Sequence, residues 1–225
     1  MAASRRAPRG SAARSRVWVG PGKKTPRAAE RDTPRIQALR ETYLRWMTNP
    51  APSRLVFIDE AGSTISMTRR YARAPRGERA EDTVPRNRGT VTTMVGALTV
   101  DGLVAMACFE GGTDGDRFMA FLEQVLQPEL VPGDLVVMDN LGAHKDSRVR
   151  PFLESLGAKP VYLPPYSPEL NPIELAWSKL KTWLRTAKAR TVEALDAAIS
   201  EAMDYITPED AEAWIRHCGY CRQET

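Results

Sequence analysis

Two apolar tetrapeptides in this 225-residue chain run directly into an aspartate: Leu55-Val56-Phe57-Ile58 into Asp59, and Leu135-Val136-Val137-Met138 into Asp139. Short continuous apolar runs of this kind read as strands buried on both faces. A carboxylate ending one such strand is ordinary turn or cap chemistry. Two at the same relative place point further, because ligands of α/β sheets collect in the crevice at the carboxyl ends of strands, where both aspartates could converge. A third acid, Glu174, follows Asn171-Pro172-Ile173 where a helix is expected to begin. Proline suits a first helical turn and the helix dipole favours a glutamate there, which is the plain structural explanation of both. Along that helix Ile173, Trp177, Leu180, Leu184 and Ala187 recur as one apolar stripe, and Glu174, Ser178, Lys181, Arg185 and Lys188 recur as its neighbour. One face therefore runs from a carboxylate to three cations. Such a face would hold a divalent metal beside a phosphate and lay positive charge along the flanking backbone; a solvated surface stripe is the alternative.

The elements that must carry these acids can be read from periodicity and turn residues. Residues 34–47 form a helix from Pro34, with Ile36, Leu39, Tyr43 and Met47 near one face, ended by Asn49-Pro50. After the strand at 55–58, the segment STISMT at 63–68 reads as a second short strand, followed by an Arg- and Pro-rich loop over 69–90. Residues 91–100 and 103–109 flank Asp101-Gly102, a dipeptide favoured in tight hairpins. Phe118, Phe121, Leu122, Val125 and Leu126 fall at helical spacing within 114–127. Then come the strand at 135–138, a helix over 146–156 stopped by Gly157, a short strand at 160–163, and amphipathic helices over 172–188 and 191–205. A meander followed by crossover units implies an α/β fold: a mixed sheet with helices on its faces.

Composition narrows the field. Hydrophobic residues make up 42% and charged residues 27%, which is globular composition. No apolar run approaches the ~20 residues needed to span a bilayer, and the arginines at the start are not followed by the apolar segment of a secretory signal, so a cytoplasmic, non-membrane protein is expected. Charge is segregated. Residues 1–35 hold eight Arg and two Lys against Glu30 and Asp32, a net +8, so the overall +4 leaves −4 on the remainder. A basic arm on an acidic body suits a polyanionic partner, although a solvated tail or an organelle transit peptide has similar composition. Cys108, Cys218 and Cys221 are too few for a disulfide framework, and the half-site Cys218-Gly219-Tyr220-Cys221 lacks the second ligand pair of a structural zinc site. GPGKKT at 20–25 fails as a phosphate loop, since Val17 and Lys24 stand where Gly and Ser or Thr are required. His144 has no G-x-S-x-G partner for serine hydrolysis.

FIDEAG at 57–62, VVMDNLGAH at 136–144 and YLPPYSPELNPIELAWSKLK at 162–181 resemble the three blocks of the mariner-related insertion-sequence transposases, a bacterial branch of the DDE transposase and integrase superfamily. The resemblance spans about residues 54–190 and implies a ribonuclease H-like fold. It casts Asp59, Asp139 and Glu174 as the catalytic, metal-binding triad for Mg2+ or Mn2+, two ions in all. Glu60, Asn140, His144 and Asn171 could support the site from outside it, and Tyr166, Ser167, Pro168, Asn171 and Pro172 look like a rigid loop setting the start of the Glu174 helix. Lys181, Arg185 and Lys188 are expected to meet DNA. The resemblance further implies cleavage at element ends and strand transfer into double-stranded target DNA at a TA dinucleotide, by a nucleoid-associated homodimer. The family usually carries helix-turn-helix modules ahead of the catalytic region. Here residues 1–50 read as a basic arm and linker helix, and 51–225 as the catalytic domain. Either the gene is truncated or an upstream-frame DNA-binding polypeptide supplies the modules, and a catalytically idle remnant that binds DNA or a full-length partner as a regulator is the competing expectation.

Overall fold

The structure, a computed structural model, describes residues 28–69 and 71–220; the basic arm up to residue 27 and Cys221 lie outside them. Five strands form one mixed sheet in the order β3-β2-β1-β4-β5: β1 (Leu55–Ser63), β2 (Thr92–Thr99), β3 (Gly102–Glu110), β4 (Leu135–Met138) and β5 (Lys159–Tyr162). The first three are an antiparallel meander turned at Asp101-Gly102, with Gly102 at φ 111°, a conformation that glycine adopts without steric cost. β4 joins β1 in parallel and β5 joins β4 in parallel, each reached through a helix.

Side-chain alternation assigns each residue to a face. Leu55, Phe57, Leu135 and Val137 point to a core shared with helices α1 (Pro34–Met47), α4 (Ile173–Ala187), α5 (Val192–Asp204) and α6 (Pro208–His217). Val56, Ile58, Val136 and Met138 point to the opposite core, closed by α2 (Gly115–Phe121) and α3 (Val149–Ser155). α4 is seated by Ile173, Ala176, Trp177, Leu180 and Leu184, all buried; fully burying a leucine contributes about 1.5–3 kcal/mol. Ala176 takes the place on the stripe expected for Ala187, which is exposed at the helix end. Among the described residues no helix is long and apolar enough to cross a membrane.

Several expected elements differ. β1 does not end at Asp59 but runs on to Ser63, because β2 continues to pair with it through Ser63↔Thr92 after β4 has stopped. STISMT is therefore no second strand: Ser63 closes β1, and the chain bends away with Met67 N–H bonded to the Thr64 carbonyl. The helix expected over 114–127 is α-helical only to Phe121, then widens into a π turn over Leu122–Leu126 and a 3-10 turn at Gln127–Glu129, where Pro128 cannot donate to a helical ladder. The helix expected over 146–156 is regular only at Val149–Ser155. α6 has no counterpart among the expected elements, although Thr207-Pro208-Glu209-Asp210 spells its start: Thr207 and Asp210 form a reciprocal capping box around Pro208 in the first turn.

Candidate active site

The sheet register brings the two aspartates together. In the parallel ladder Phe57 lies opposite Val137, the last pair of β1 with β4, and Asp59 and Asp139 each follow that pair by two residues. By alternation along β1, Asp59 shares the side of the sheet defined by Phe57, the side that α4 covers. On the next strand Gly96 is the partner of Asp59. A side chain there is excluded by Trp177, whose Cη2 would lie 2.8 Å from an added Cβ. The indole, one turn beyond Glu174, is thus keyed into the gap beside Asp59, and the helix start is fixed over the strand ends.

The charges respond to this placement. Asp59 is 9% exposed. Burial first, then the carboxylate of Glu174, with smaller contributions from Glu60 and Asp139, push its pKa up to about 7. Glu174 is raised as well, chiefly by desolvation and in part by Asp139, while Lys181 opposes the shift. Asp139 moves the other way. A hydrogen bond with His144 holds it below the usual carboxylate value, helped by the Leu141 N–H at 2.8 Å from Oδ1. The three acids expected from sequence therefore sense one another's charge. Among the described residues, however, no three His, Cys, Asp or Glu side chains are drawn together closely enough to hold a metal ion. The donor set nevertheless suits a hard divalent cation: it is all carboxylate oxygen, and two of its members resist ionisation for want of positive charge.

His144 links this face to the one behind it. It is fully buried, with Nδ1 2.8 Å from Asp139 Oδ1 and Nε2 3.1 Å from Glu60 Oε1. Glu60 follows Asp59 and so points to the opposite side of β1, and the imidazole joins it to Asp139. Burial alone would lower its pKa, but the bonds to Asp139 and Glu60 outweigh that and raise it to about 9. Phe118 packs on the ring at a centroid distance of 4.4 Å, and the Tyr162 hydroxyl donates to the His144 carbonyl. Asn140 donates from Nδ2 to the Leu163 carbonyl at 2.6 Å, tying the end of β4 to the end of β5.

A cleft of about 440 Å³ opens beside these groups, lined by Asp139, Asn140, Tyr166, Asn171 and Glu174 among others. Asn171 is buried, and its Oδ1 has no hydrogen-bond partner among the described residues. The loop forming the far wall is fixed from outside. Tyr166 sits at φ 56°, Arg31 and Arg40 each reach Glu169 at 2.6 Å, Arg40 also bonds Ser167, and the Tyr220 hydroxyl, itself 2.8 Å from that of Tyr43, donates to the Leu170 carbonyl at 2.5 Å. None of these long-range ties carries a local sequence signal.

The expected cations fall along α4 unequally. Lys181 is half-buried close to Glu174; Arg185 is half-buried further on; Lys188 caps the helix in a left-handed conformation and ion-pairs with Asp82 at 2.8 Å. Cys218 is a buried member of the core, and Cys108 is exposed on β3.

Comparisons place this architecture. The Mos1 transposase in its paired-end complex with the left transposon end superposes with a TM-score of 0.67 at 21% identity, covering 89% of this chain and 64% of that one. The mariner Mos1 paired-end complex with Mn gives 0.66 at 21% identity, covering 89% and 64%. The Mos1 catalytic domain with raltegravir and Mg gives 0.60 at 18% identity, covering 85% and 92%. The fold is thus the ribonuclease H-like one, and the chain spans under two thirds of the length of the transposase in the paired-end complexes. No curated protein matches the chain in a sequence search. The family described as DDE superfamily endonuclease matches residues 54–196, a stretch that takes in Asp59, Asp139 and Glu174, and the chain belongs to that family.

Proposed function

We propose that this chain is the catalytic half of a DNA transposase, cutting phosphodiesters at the ends of a mobile element and joining the freed 3′ hydroxyl to target DNA. The observation that supports the reading is electrostatic: the charges of Glu174 and Asp139 both act to raise the pKa of Asp59, and Asp139 does the same to Glu174. Asp59, Asp139 and Glu174 are the residues that would hold Mg2+ or Mn2+, two ions in all. Bound there, such cations supply Lewis-acid polarisation of the phosphate and a more acidic attacking water. The remaining work belongs to the protein. His144, braced by Glu60 and Phe118, orients the Asp139 carboxylate and keeps it ionised. Asp59, buried and crowded by Glu174, holds a proton near neutrality until positive charge arrives. Asn140 and Asn171 shape the cleft in which the scissile phosphate would lie. Lys181 and Arg185 would meet the flanking backbone, and Lys188 would act on it from the end of α4. Residues 1–50 would be an arm and linker, residues 51–225 the catalytic domain, and recognition of element ends would come from helix-turn-helix modules supplied by an upstream-frame polypeptide within a homodimeric assembly.

The absence of a ready three-carboxylate cage among the described residues favours one competing reading, an idle remnant that regulates a full-length partner. A single assay separates them. Supercoiled plasmid is incubated with the full chain and Mg2+ or Mn2+, alongside Asp59→Asn, Asp139→Asn and Glu174→Gln. Metal-dependent nicking that drops at least a hundredfold in each variant supports the enzyme. No nicking, or nicking indifferent to all three changes, supports the remnant.

A further inference from the structure

Negative charge on the body of the chain is gathered in one place. Residues 191–215, which take in α5 and most of α6, contain Glu193, Asp196, Glu201, Asp204, Glu209, Asp210 and Glu212 and no Lys or Arg, a net −7. Residues 36–225 together carry −4, so the rest of that body is at +3. All seven acids except Asp210 are exposed, and among the described residues the stretch makes one ion pair, Asp210 with Lys179. Carboxylates gathered without cations repel one another, and a basic segment lying on them relieves that repulsion.

Beside these acids an apolar groove of about 580 Å³ runs along α4, lined by Leu175, Lys179, Trp183, Tyr205 and Trp214 among others. Tyr205 is 48% exposed, and Trp183 packs on it at a centroid distance of 5.1 Å. The groove already receives one cation: Lys179 Nζ lies 4.3 Å from the centre of the Tyr205 ring while pairing with Asp210. Aromatic faces beside carboxylates suit a segment that brings both cations and a bulky apolar side chain.

The residues ahead of the described ones have that composition. Residues 1–27 hold six Arg, two Lys and no acid, a net +8, and their one tryptophan stands in Val17-Trp18-Val19. Their root is tied to this side of the molecule, since Arg31 reaches Glu169 at 2.6 Å. Glu169 and Leu175 line a second hollow of about 320 Å³, and Leu175 lines the groove as well, so the two adjoin. From Arg31 back to Trp18 is thirteen residues, up to about 43 Å of chain. The groove from Leu175 to Thr186 is about 17 Å long, well within that reach.

We propose that residues 1–27 dock on the acidic face of their own chain, with Trp18 in the aromatic groove and the arginines and lysines on the carboxylates of α5 and α6. Tethering presents the segment to the groove at an effective concentration on the order of millimolar. Docked there, its cations are withheld from phosphates, and a polyanion recruits them only by outcompeting the acidic face.

Trypsin tests the docking, because the bond after Arg16 adjoins the proposed anchor. Cleavage after Arg16 in the full chain is timed by mass spectrometry at low salt against a synthetic peptide of residues 1–27. Proteolysis follows the undocked fraction, so the full chain is expected to be cut at least about tenfold more slowly than the peptide. Glu201→Gln, Asp204→Asn and Glu212→Gln together, or salt at about 0.5 M, should return most of the peptide's rate. Trp18→Ser, which alters no charge, should return part of it. Unchanged melting temperatures show that the variants keep the fold. Cleavage of the wild type at the peptide's rate, or protection that either variant retains in full, overturns the proposal. Protection lost on dilution also overturns it and gives the groove to the same segment of a second copy. None of these measurements involves DNA cleavage, so their outcome is separate from that of the transposase reading.

Discussion

Gly96→Ala tests whether the keyed contact between α4 and the sheet sets the position of Glu174. The added methyl would lie 2.8 Å from Trp177 Cη2 and 3.2 Å from both Trp177 Cζ2 and Leu103 Cδ1. Carbon atoms rest at about 3.5–4.0 Å, so the indole must retreat by roughly 0.7–1.2 Å. Trp177 is 2% exposed in a close-packed core, which leaves rigid displacement of the start of α4 as the main relief. Overpacking costs about 1–3 kcal/mol, offset by about 0.5–1 kcal/mol from replacing a strand glycine, so a net loss of about 1–2 kcal/mol is expected in urea denaturation. Activity should suffer more. A displacement near 1 Å at a reacting group can reduce the rate about a hundredfold, to be read as single-turnover nicking at saturating Mg2+. Trp177→Phe removes Cη2 and Cζ2, the atoms that collide. The double variant should recover at least tenfold in rate over Gly96→Ala, with a favourable stability coupling of about 1–2 kcal/mol. Wild-type rate and stability in Gly96→Ala, or a rate loss that Trp177→Phe leaves untouched, would show that the contact does not position the helix.

Asp59 gives a prediction with a definite sign. Its folded pKa of about 7 lies above the unfolded value of 3.8, so the stability linked to it is full below pH 3.8 and lost as pH rises through about 7. Asp59→Asn should therefore stabilise the metal-free protein by a few kcal/mol at pH 8, flatten stability between pH 4 and 7, and remove the rise in Tm that Mg2+ gives the wild type; a destabilised variant at pH 8 refutes the assignment. His144→Phe keeps a ring against Phe118 but frees Asp139 and Glu60, and is expected to weaken Mg2+ dependence about 10–100-fold. With a folded pKa of about 9 against 6.5, the wild-type imidazole contributes stability that is full below pH 6.5 and fades through pH 9, a decline that calorimetric melts of the variant should lack.

What is legible in the sequence follows from whether a signal is local. The Asp-Gly hairpin, the LVVM strand with its terminal Asp139, and the stripe through Trp177 and Leu184 are patterns that a few neighbouring residues enforce, and all appear in the fold. Asp59 reads as a strand end because its apolar run stops where the strand does not; only the continued pairing of β2 carries β1 past it. STISMT has the composition of a strand, but beyond Ser63 it pairs with no strand among the described residues. The capping box of α6 is written in Thr207 to Asp210, whereas His144 meeting Glu60 across 84 residues, or Arg40 meeting Ser167 across 127, has no signature until the chain is folded. The selection of Gly96 as the residue opposite Asp59 is of the same kind: the glycine is visible, its partner is not.

The loop before α4 is latched from both directions along the polypeptide, by Arg31 and Arg40 ahead of the sheet and by Tyr220 behind the last helix. A load on either latch is borne by the same few residues at the mouth of the cleft. Trimming one would slacken the floor under Glu174 without removing any side chain that lines the cleft.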